Sequence, residues 1–294
     1  MVKVNIYVHI TNSDLVGFRL VRIGVLKCGN IATAPLLELL LDELADRKDI
    51  TVQTVTTGSK MNVEAVEEAV EKAFDFRPDL VLFVSPNTSA PAPSKAREIL
   101  SKKKVPTIAF TDAPGKRVKT ELEEQGLGYA IVMGDPLIGA RKEFLDPLEM
   151  AIFNSNVIKV LASTGIYRLI VQEIDKVIYA VKETKSPALP KLVLDTNSIR
   201  DSQHFKNPYA KAKAMAAYEM LKKVAEINVQ ACFVEKDKEK YIPLVACAHE
   251  IVQASADLAE RAREIEKYGD TLLRTPHSKD GRLKTKEKLM LPPE

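Results

Sequence analysis

The residue types best suited to chemistry fall in three short loops, each joining an apolar strand pattern to a helix. Cys28-Gly29-Asn30 follows residues 22–27, a proline- and hydroxyl-rich stretch at 85–94 follows 79–84, and Thr111-Asp112-Ala113-Pro114-Gly115-Lys116 follows 105–110. In a parallel α/β sheet such loops gather along one edge, and ligands bind in the crevice there. Their backbone donors, with Lys27, Lys95 and Lys116 close by, suit an anionic ligand of cofactor size. The residues carrying this reading are Lys27, Cys28, Gly29, Asn30 and Thr33 in the first loop and Pro86, Asn87, Ser94 and Lys95 in the second. Asp112, Gly115 and Lys116 carry it in the third.

The three loops differ in what they imply. The first holds a single glycine, and no acidic residue ends the strand at 52–56, which disfavours a standard nicotinamide-dinucleotide site. The same turn also serves as plain strand-to-helix chemistry, with Thr33 as cap, and Cys28 as a nucleophile would need a partnered histidine. The second loop is stiffened by Pro86, Pro91 and Pro93 and carries Asn87, Thr88, Ser89 and Ser94. Stiffness lowers the entropic cost of holding a ligand, which favours a binding role over a rigid crossover. The third reads equally as a turn or a ligand contact.

Composition bounds the rest. The 294 residues carry 46% apolar and 28% charged side chains and a net charge of +3, which describes a globular chain with a substantial core and no nucleic-acid stripe. Cys28, Cys232 and Cys247 lack ligand or redox-pair spacing, which fits a reducing, cytoplasmic setting, and His9, His204, His249 and His277 share no metal-ligand spacing. No apolar run approaches the roughly 20 residues that span a bilayer, and the first residues lack the order of a signal peptide.

The elements that must position these loops follow from periodicity. Strands are expected at 22–27, 51–56, 79–84, 105–110 and 128–132, with a helix beginning at Thr33 whose apolar face includes Leu36, Leu37, Leu40, Leu41 and Leu44. Asn62 caps the next helix and Ser94 marks a third. Asp146-Pro147 and Asn207-Pro208 are cap-and-proline starts, a break falls at Thr164-Gly165, and a long helix spans 244–268. Short strands at 192–194 and 229–234 suggest a small additional sheet. The fold class is therefore α/β, a parallel-sheet half with a mainly helical second half and that small sheet. The organisation expected is an N-terminal extension at 1–20, a cofactor-binding part at 21–135, a helical part at 136–270 and an arm at 271–294.

At Lys27-Cys28-Gly29-Asn30, Pro91-Ala92-Pro93-Ser94-Lys95-Ala96-Arg97-Glu98, Asp112-Ala113-Pro114-Gly115 and Glu124-Gln125-Gly126-Leu127-Gly128-Tyr129 the chain resembles a known family. The run Gly139-Ala140-Arg141-Lys142-Glu143-Phe144-Leu145-Asp146-Pro147, with Cys232-Phe233-Val234-Glu235 and Arg274-Thr275-Pro276-His277, extends the match to the C-terminus. The family is that of the coenzyme F420-dependent methylenetetrahydromethanopterin dehydrogenases; residues 1–20 lie outside the match. The resemblance implies an oxidoreductase moving a hydride reversibly between F420, a dissociable co-substrate, and the one-carbon unit of tetrahydromethanopterin. It implies archaeal one-carbon metabolism and methanogenesis from CO2, a cytoplasmic homo-hexamer built as a trimer of dimers, and no metal or bound flavin. No nucleic-acid or membrane partner is expected.

The methenyl carbon is already cationic, so positioning two ligands, rather than an acid–base pair, is the task expected of the protein. On this reading the three loops hold the deazaflavin. Lys27, Lys95, Lys116 or Arg117 pair with its anionic tail, and Lys95→Ala raises the Michaelis constant for F420. The pterin lies toward Gly126, Arg141, Glu143, Asp146 and His249, with Asp146 equally read as a helix cap and His249 as a structural histidine. A non-catalytic nucleotide- or pterin-binding sensor on the same scaffold is the alternative.

Overall fold

The structure, a computed structural model, describes residues 19–42 and 46–294, and within the first helix the side chains only as far as Glu38. Expectations for residues 1–18, and for Leu40, Leu41 and Leu44, fall outside the described residues. Six strands form one parallel sheet: β1 Val21–Lys27, β2 Ile50–Thr56, β3 Leu80–Val84, β4 Thr107–Asp112, β5 Gly128–Val132 and β6 Lys191–Leu194. Their order is β2-β1-β3-β4-β5-β6, so the chain reverses direction of travel across the sheet between β1 and β3. A crevice opens at such a reversal. In register, Lys27 faces both Thr56 and Val84, which sets the first and second candidate loops side by side.

Every residue of β3, β4 and β5 is buried, as expected where helices cover both faces. On one face Leu26, Val81, Phe83, Ala109 and Tyr129 meet α2 Val63–Asp75, α3 Pro91–Lys103 and the short α4 Lys119–Glu124. On the other, Ile23, Val25, Leu82, Ile108 and Val132 meet a larger helical layer. It contains α1 Thr33–Asp42, α5 Pro147–Ser163, α6 Ile166–Lys182, α8 Pro208–Val229 and α9 Lys238–Tyr268, with α7 Thr196–Asp201 between β6 and α8. Small side chains on α8 (Ala210, Ala214, Ala217) and α9 (Ala248, Ala256, Ala259) are fully buried where these two long helices pack.

Three helix starts behave as the sequence indicates, whereas α3 begins at Pro91 after Ala90, with no side-chain cap and with Ser94 inside the helix. Asn62 accepts from Ala65 N, Asp146 from Glu149 N, and Asn207 from Tyr209 N and Ala210 N, each just outside its helix. Other expectations are corrected. Residues 229–234 are not a strand: α8 passes directly into a π-helical turn, Gln230–Val234, that buries Ala231 completely. Residues 191–194 form β6, but it pairs with β5 and completes the main sheet, so the separate small sheet does not form among the described residues. The long helix also starts earlier than expected, capped by Asp237 and carried past Pro243 by the buried Tyr241 and Val245.

The C-terminal segment folds back in an extended form, with antiparallel bridges Arg274↔Lys286 and His277↔Leu283. It reaches the far end of β2, where Lys48 N donates to Lys279 O at 2.8 Å. There the buried Asp49 accepts from Arg47 at 3.0 Å and from Lys182 at 3.2 Å, while His277 lies 2.8 Å from Asp175.

Candidate active site

Local chemistry holds each loop at the sheet's edge. In the first, Cys28 N donates to Val84 O, and Gly29 adopts φ +82°, a conformation glycine enters without penalty. A Cβ at Gly29 would lie 2.8 Å from Met61 Sδ and 2.9 Å from Pro86 Cδ, so the first and second loops touch there. In the second, the fully buried Arg97 donates to Thr88 O at 3.0 Å, and to Gln125 and Glu121 at 3.0 and 2.9 Å. That guanidinium fastens the loop to α3 and α4. In the third, Asp112 caps a 3₁₀ turn, Ala113–Val118, accepting from Ala113 N at 2.6 Å. Gly115 is required by close approach, since a Cβ there would sit 2.2 Å from Thr111 Cγ2.

The N-terminus of α1 is closed by the protein itself. Asp135, from the loop after β5 and fully buried, accepts from Ala32 N at 2.9 Å, Thr33 N at 2.8 Å and Thr33 Oγ1 at 2.5 Å. Free amides at a helix start are where doubly wound folds bind a pyrophosphate. Here a carboxylate takes them, which accounts physically for a first loop without the dinucleotide glycines.

Between the sheet edge and the helical layer lies a cleft of about 760 Å³. One wall is Gly29, Asn30, Pro86, Asp112, Pro114 and Arg117. The other comes from the segment after β5 (Pro136, Leu137, Ile138, Leu145), from α5 (Met150, Asn154), and from the end of α8 and its π-turn (Asn228, Cys232, Phe233). The volume and the mostly apolar lining with a few polar groups match a small-molecule site. Asn228 donates to Leu137 O at 2.6 Å, but its buried Oδ1 has no partner. Such an acceptor calls for a donor, and an amide or amino N–H of a bound ring would supply it.

Arg141 holds the second wall in place. Its guanidinium donates to Ala231 O and Glu235 O and stacks 4.0 Å over Tyr241, whose hydroxyl donates to Glu143. It thereby satisfies carbonyls left over where the π-turn ends.

Burial pushes the Asp112 carboxyl well above the usual carboxylate range; the Ala113 N–H opposes this and the charge of Asp135 adds to it. Burial also raises Asp135, against its hydrogen bonds from Thr33 and Ala32. The Cys28 thiol is pushed up to about 11 by burial, against a hydrogen bond with Thr57. A raised carboxyl means that the native state keeps its proton to higher pH than the unfolded chain does. The stabilisation is full below about pH 4 and is lost as pH rises through the native value. Asp112→Asn removes that loss, so its melting temperature relative to wild type is expected to climb with pH. Each kcal/mol is worth about 2–4 °C, and a scan of melting temperature against pH reads it. A constant offset would mean that Asp112 titrates normally.

Residues 21–294 match the family model described as methylene-5,6,7,8-tetrahydromethanopterin dehydrogenase. The chain belongs to that family. It is 56% identical over 274 residues to the F420-dependent methylenetetrahydromethanopterin dehydrogenase of Methanothermobacter marburgensis, covering 93% of this chain and 99% of that protein. The enzyme of that name from Archaeoglobus fulgidus is 54% identical over 274 residues, with the same coverage. A solved structure of an F420-dependent methylene-tetrahydromethanopterin dehydrogenase in complex with methylene-tetrahydromethanopterin and coenzyme F420 is also similar. It superposes with a TM-score of 0.91 at 48% identity, covering 94% of this chain and 100% of that one.

Within this dehydrogenase fold the residues singled out from sequence separate into groups. Gly29, Asn30, Pro86 and Asp112 line the cleft together, and Arg117 stands at its mouth. Lys27, Cys28, Thr33, Asn87, Ser94, Gly115 and Lys116 lie behind or beside this wall without lining it. Lys95 sits on the outer surface, 3.8 Å from Glu67 and 3.6 Å from Glu98. Gly126 lies at the opposite end of β5, in a separate depression with Leu100 and Pro187. Arg141 and Glu143 brace the second wall, and Asp146 caps α5. His249 is wedged between Phe144 and Phe153 with Nδ1 3.4 Å from Glu149, and burial lowers its pKa. Sequence reasoning passed over Met150, Asn154 and Asn228, which read as ordinary helix residues, and over the buried Asp135. Among the described residues no group of three His, Cys, Asp or Glu side chains is placed to hold a metal, and no helix is long and apolar enough to cross a membrane.

Proposed function

We propose that this protein is an F420-dependent methylenetetrahydromethanopterin dehydrogenase, passing a hydride reversibly between coenzyme F420 and the one-carbon unit of tetrahydromethanopterin. The observation that carries this reading is a near full-length match to enzymes of that name, joined to one cleft with two dissimilar walls. The reaction asks the protein to hold two rings with the reacting carbons roughly 3–3.5 Å apart and to keep water out. Apolar walls anchored by Arg97 on one side and Arg141 on the other meet that demand. The deazaflavin is assigned to the wall of Gly29, Asn30, Pro86 and Asp112, and the pterin to the wall of Leu137, Asn154 and Asn228, whose free oxygen suits an amino-pyrimidine edge. The archaeal, cytoplasmic setting, the role in methanogenesis from CO2 and the hexamer built as a trimer of dimers belong to this proposal. A sensor binding the same ligands without reaction is not favoured.

The test is anaerobic mixing of protein, F420 and methylene-tetrahydromethanopterin while following the long-wavelength band of oxidised F420. Bleaching that requires both substrates supports the dehydrogenase; no bleaching overturns it.

Of the candidate cations, Arg117 alone lines the cleft among the described residues, whereas Lys95 already faces two glutamates. Arg117→Ala is expected to raise the Michaelis constant for F420 about tenfold, the loss of roughly 1.4 kcal/mol from a charge-assisted contact. Lys95→Ala is expected to stay within about twofold of wild type, since exposed ion pairs contribute little. Steady-state kinetics at fixed ionic strength distinguishes the two.

A further inference from the structure

Hydride transfer leaves one proton unaccounted for. Written whole, the methylene form plus oxidised F420 plus a proton gives the methenyl cation plus reduced F420. The methylene C–H bond breaks with its electron pair going to the deazaflavin carbon, and the ring then needs a proton at nitrogen. Geometry narrows what can deliver it.

We propose that Asp112 is the proton partner of this hydride transfer. Its carboxylic acid gives the proton when the methylene carbon is oxidised, and its carboxylate takes it back in the reverse direction. The inference rests on the function proposed above. Asp112 ends β4, lines the cleft and is 3% exposed. Its Oδ1 accepts from Ala113 N at 2.6 Å, which fixes the side chain; among the described residues no cation is paired with it. In donating, its O–H bond breaks as the ring N–H bond forms, and the carboxylate left behind recovers a proton from solvent through the cleft.

The other titratable groups around Asp112 are committed elsewhere or wrongly placed. Asp135, behind it on the loop after β5, is fully buried and accepts three hydrogen bonds at the start of α1. Tyr218, from α8, donates to Leu194 O and accepts from Gly134 N. Arg117, in the 3₁₀ turn, carries a guanidinium, a hydrogen-bond donor with no acceptor site. Glu226 is exposed on the far wall, and Cys232 stands beside it on the π-turn. His249 packs against Phe144 and Phe153 and is not among the residues that line the cleft. Burial and the Asp135 charge together favour the protonated form of Asp112, the state the oxidative direction has to start from.

The experiment is single-turnover kinetics in both directions across a pH series, for wild type and Asp112→Asn, with F420 affinity measured separately by equilibrium titration. Wild type is expected to lose rate in methylene oxidation as pH rises, and in methenyl reduction as pH falls, with both limbs meeting at one pKa. In Asp112→Asn both limbs flatten and the turnover rate at saturating F420 drops about 10²-fold, a loss beyond whatever change in F420 affinity the titration shows. Asparagine keeps an oxygen for Ala113 N–H, so the cap survives. A variant with wild-type rate and pH limbs overturns the proposal, as does a rate loss explained wholly by lost F420 affinity. Should the variant not fold, wild type alone decides: a solvent deuterium effect on the single turnover that follows the same limb is expected, and its absence overturns the proposal. No turnover in wild type would instead remove the function on which the inference rests.

Discussion

Asp135→Ala is expected to lower stability by about 3–5 kcal/mol, a large share of the 5–15 kcal/mol typical of a folded chain. The carboxylate satisfies two backbone N–H groups and one hydroxyl at the start of α1, all buried. Each buried donor left without a partner costs about 1–3 kcal/mol. Asparagine is not a conservative replacement, because both carboxylate oxygens accept and an amide offers only one oxygen. Asp135→Asn should therefore fall between wild type and alanine. Denaturant midpoints for the three proteins test this order, and an alanine variant within about 1 kcal/mol of wild type would show that water replaces the carboxylate freely. Asp135 also ties the loop after β1 to the segment that begins at Pro136, so the two cleft walls should loosen together.

Gly29→Ala is expected to cost about 2–4 kcal/mol and to raise the Michaelis constants at least tenfold. The left-handed backbone accounts for about 1–2 kcal/mol of this and overpacking for about 1–3 kcal/mol. The added methyl meets Met61 Sδ at 2.8 Å and the ring of Pro86 at 2.9 and 3.1 Å. Met61 can rotate away, but Pro86 cannot. Gly29, Met61 and Pro86 all line the cleft, so any relief displaces the wall assigned to the deazaflavin. A variant that loses stability but keeps wild-type Michaelis constants would detach Gly29 from binding and leave it a purely structural glycine.

Local signals in the chain carried far. Runs of Val, Ile and Leu located all six strands of the sheet, the sixth expected in a separate one, and Asn62, Asp146-Pro147 and Asn207-Pro208 located three helix starts because capping is a short-range hydrogen bond. What failed was tertiary. Residues 229–234 have β-branched and aromatic side chains, yet α8 continues through them because Ala231 is drawn into the packing of Tyr241 and Val245. The choice of β5 as the partner of β6 has no local signature either.

Part of the candidate cleft was legible. Topology placed Gly29, Asn30, Pro86 and Asp112 at one edge, since loops after parallel strands must meet. Lys95, read by its charge as a partner for an anionic tail, stands beside Glu67 and Glu98 outside the cleft lining, and the far wall was hidden because Leu, Met and Asn on helices look like core. The buried role of Asp135 was equally unreadable, because its partners lie about a hundred positions away in the chain.

The strand order has a bearing on synthesis. Once β1 and β2 have paired, every later strand docks on an edge already present, in the sequence in which the ribosome delivers it. The sheet can thus zip up from one side while the chain is still emerging, with no strand inserted between two others after β3. Contacts to the C-terminal segment escape that order. Asp49 and Arg47 are made early, but their burial is completed by Lys182 and by the turn at Gly281, whose backbone sits against the Asp49 carboxylate. The side of the second strand at Asp49 is therefore completed by chain that the ribosome delivers more than 200 residues later.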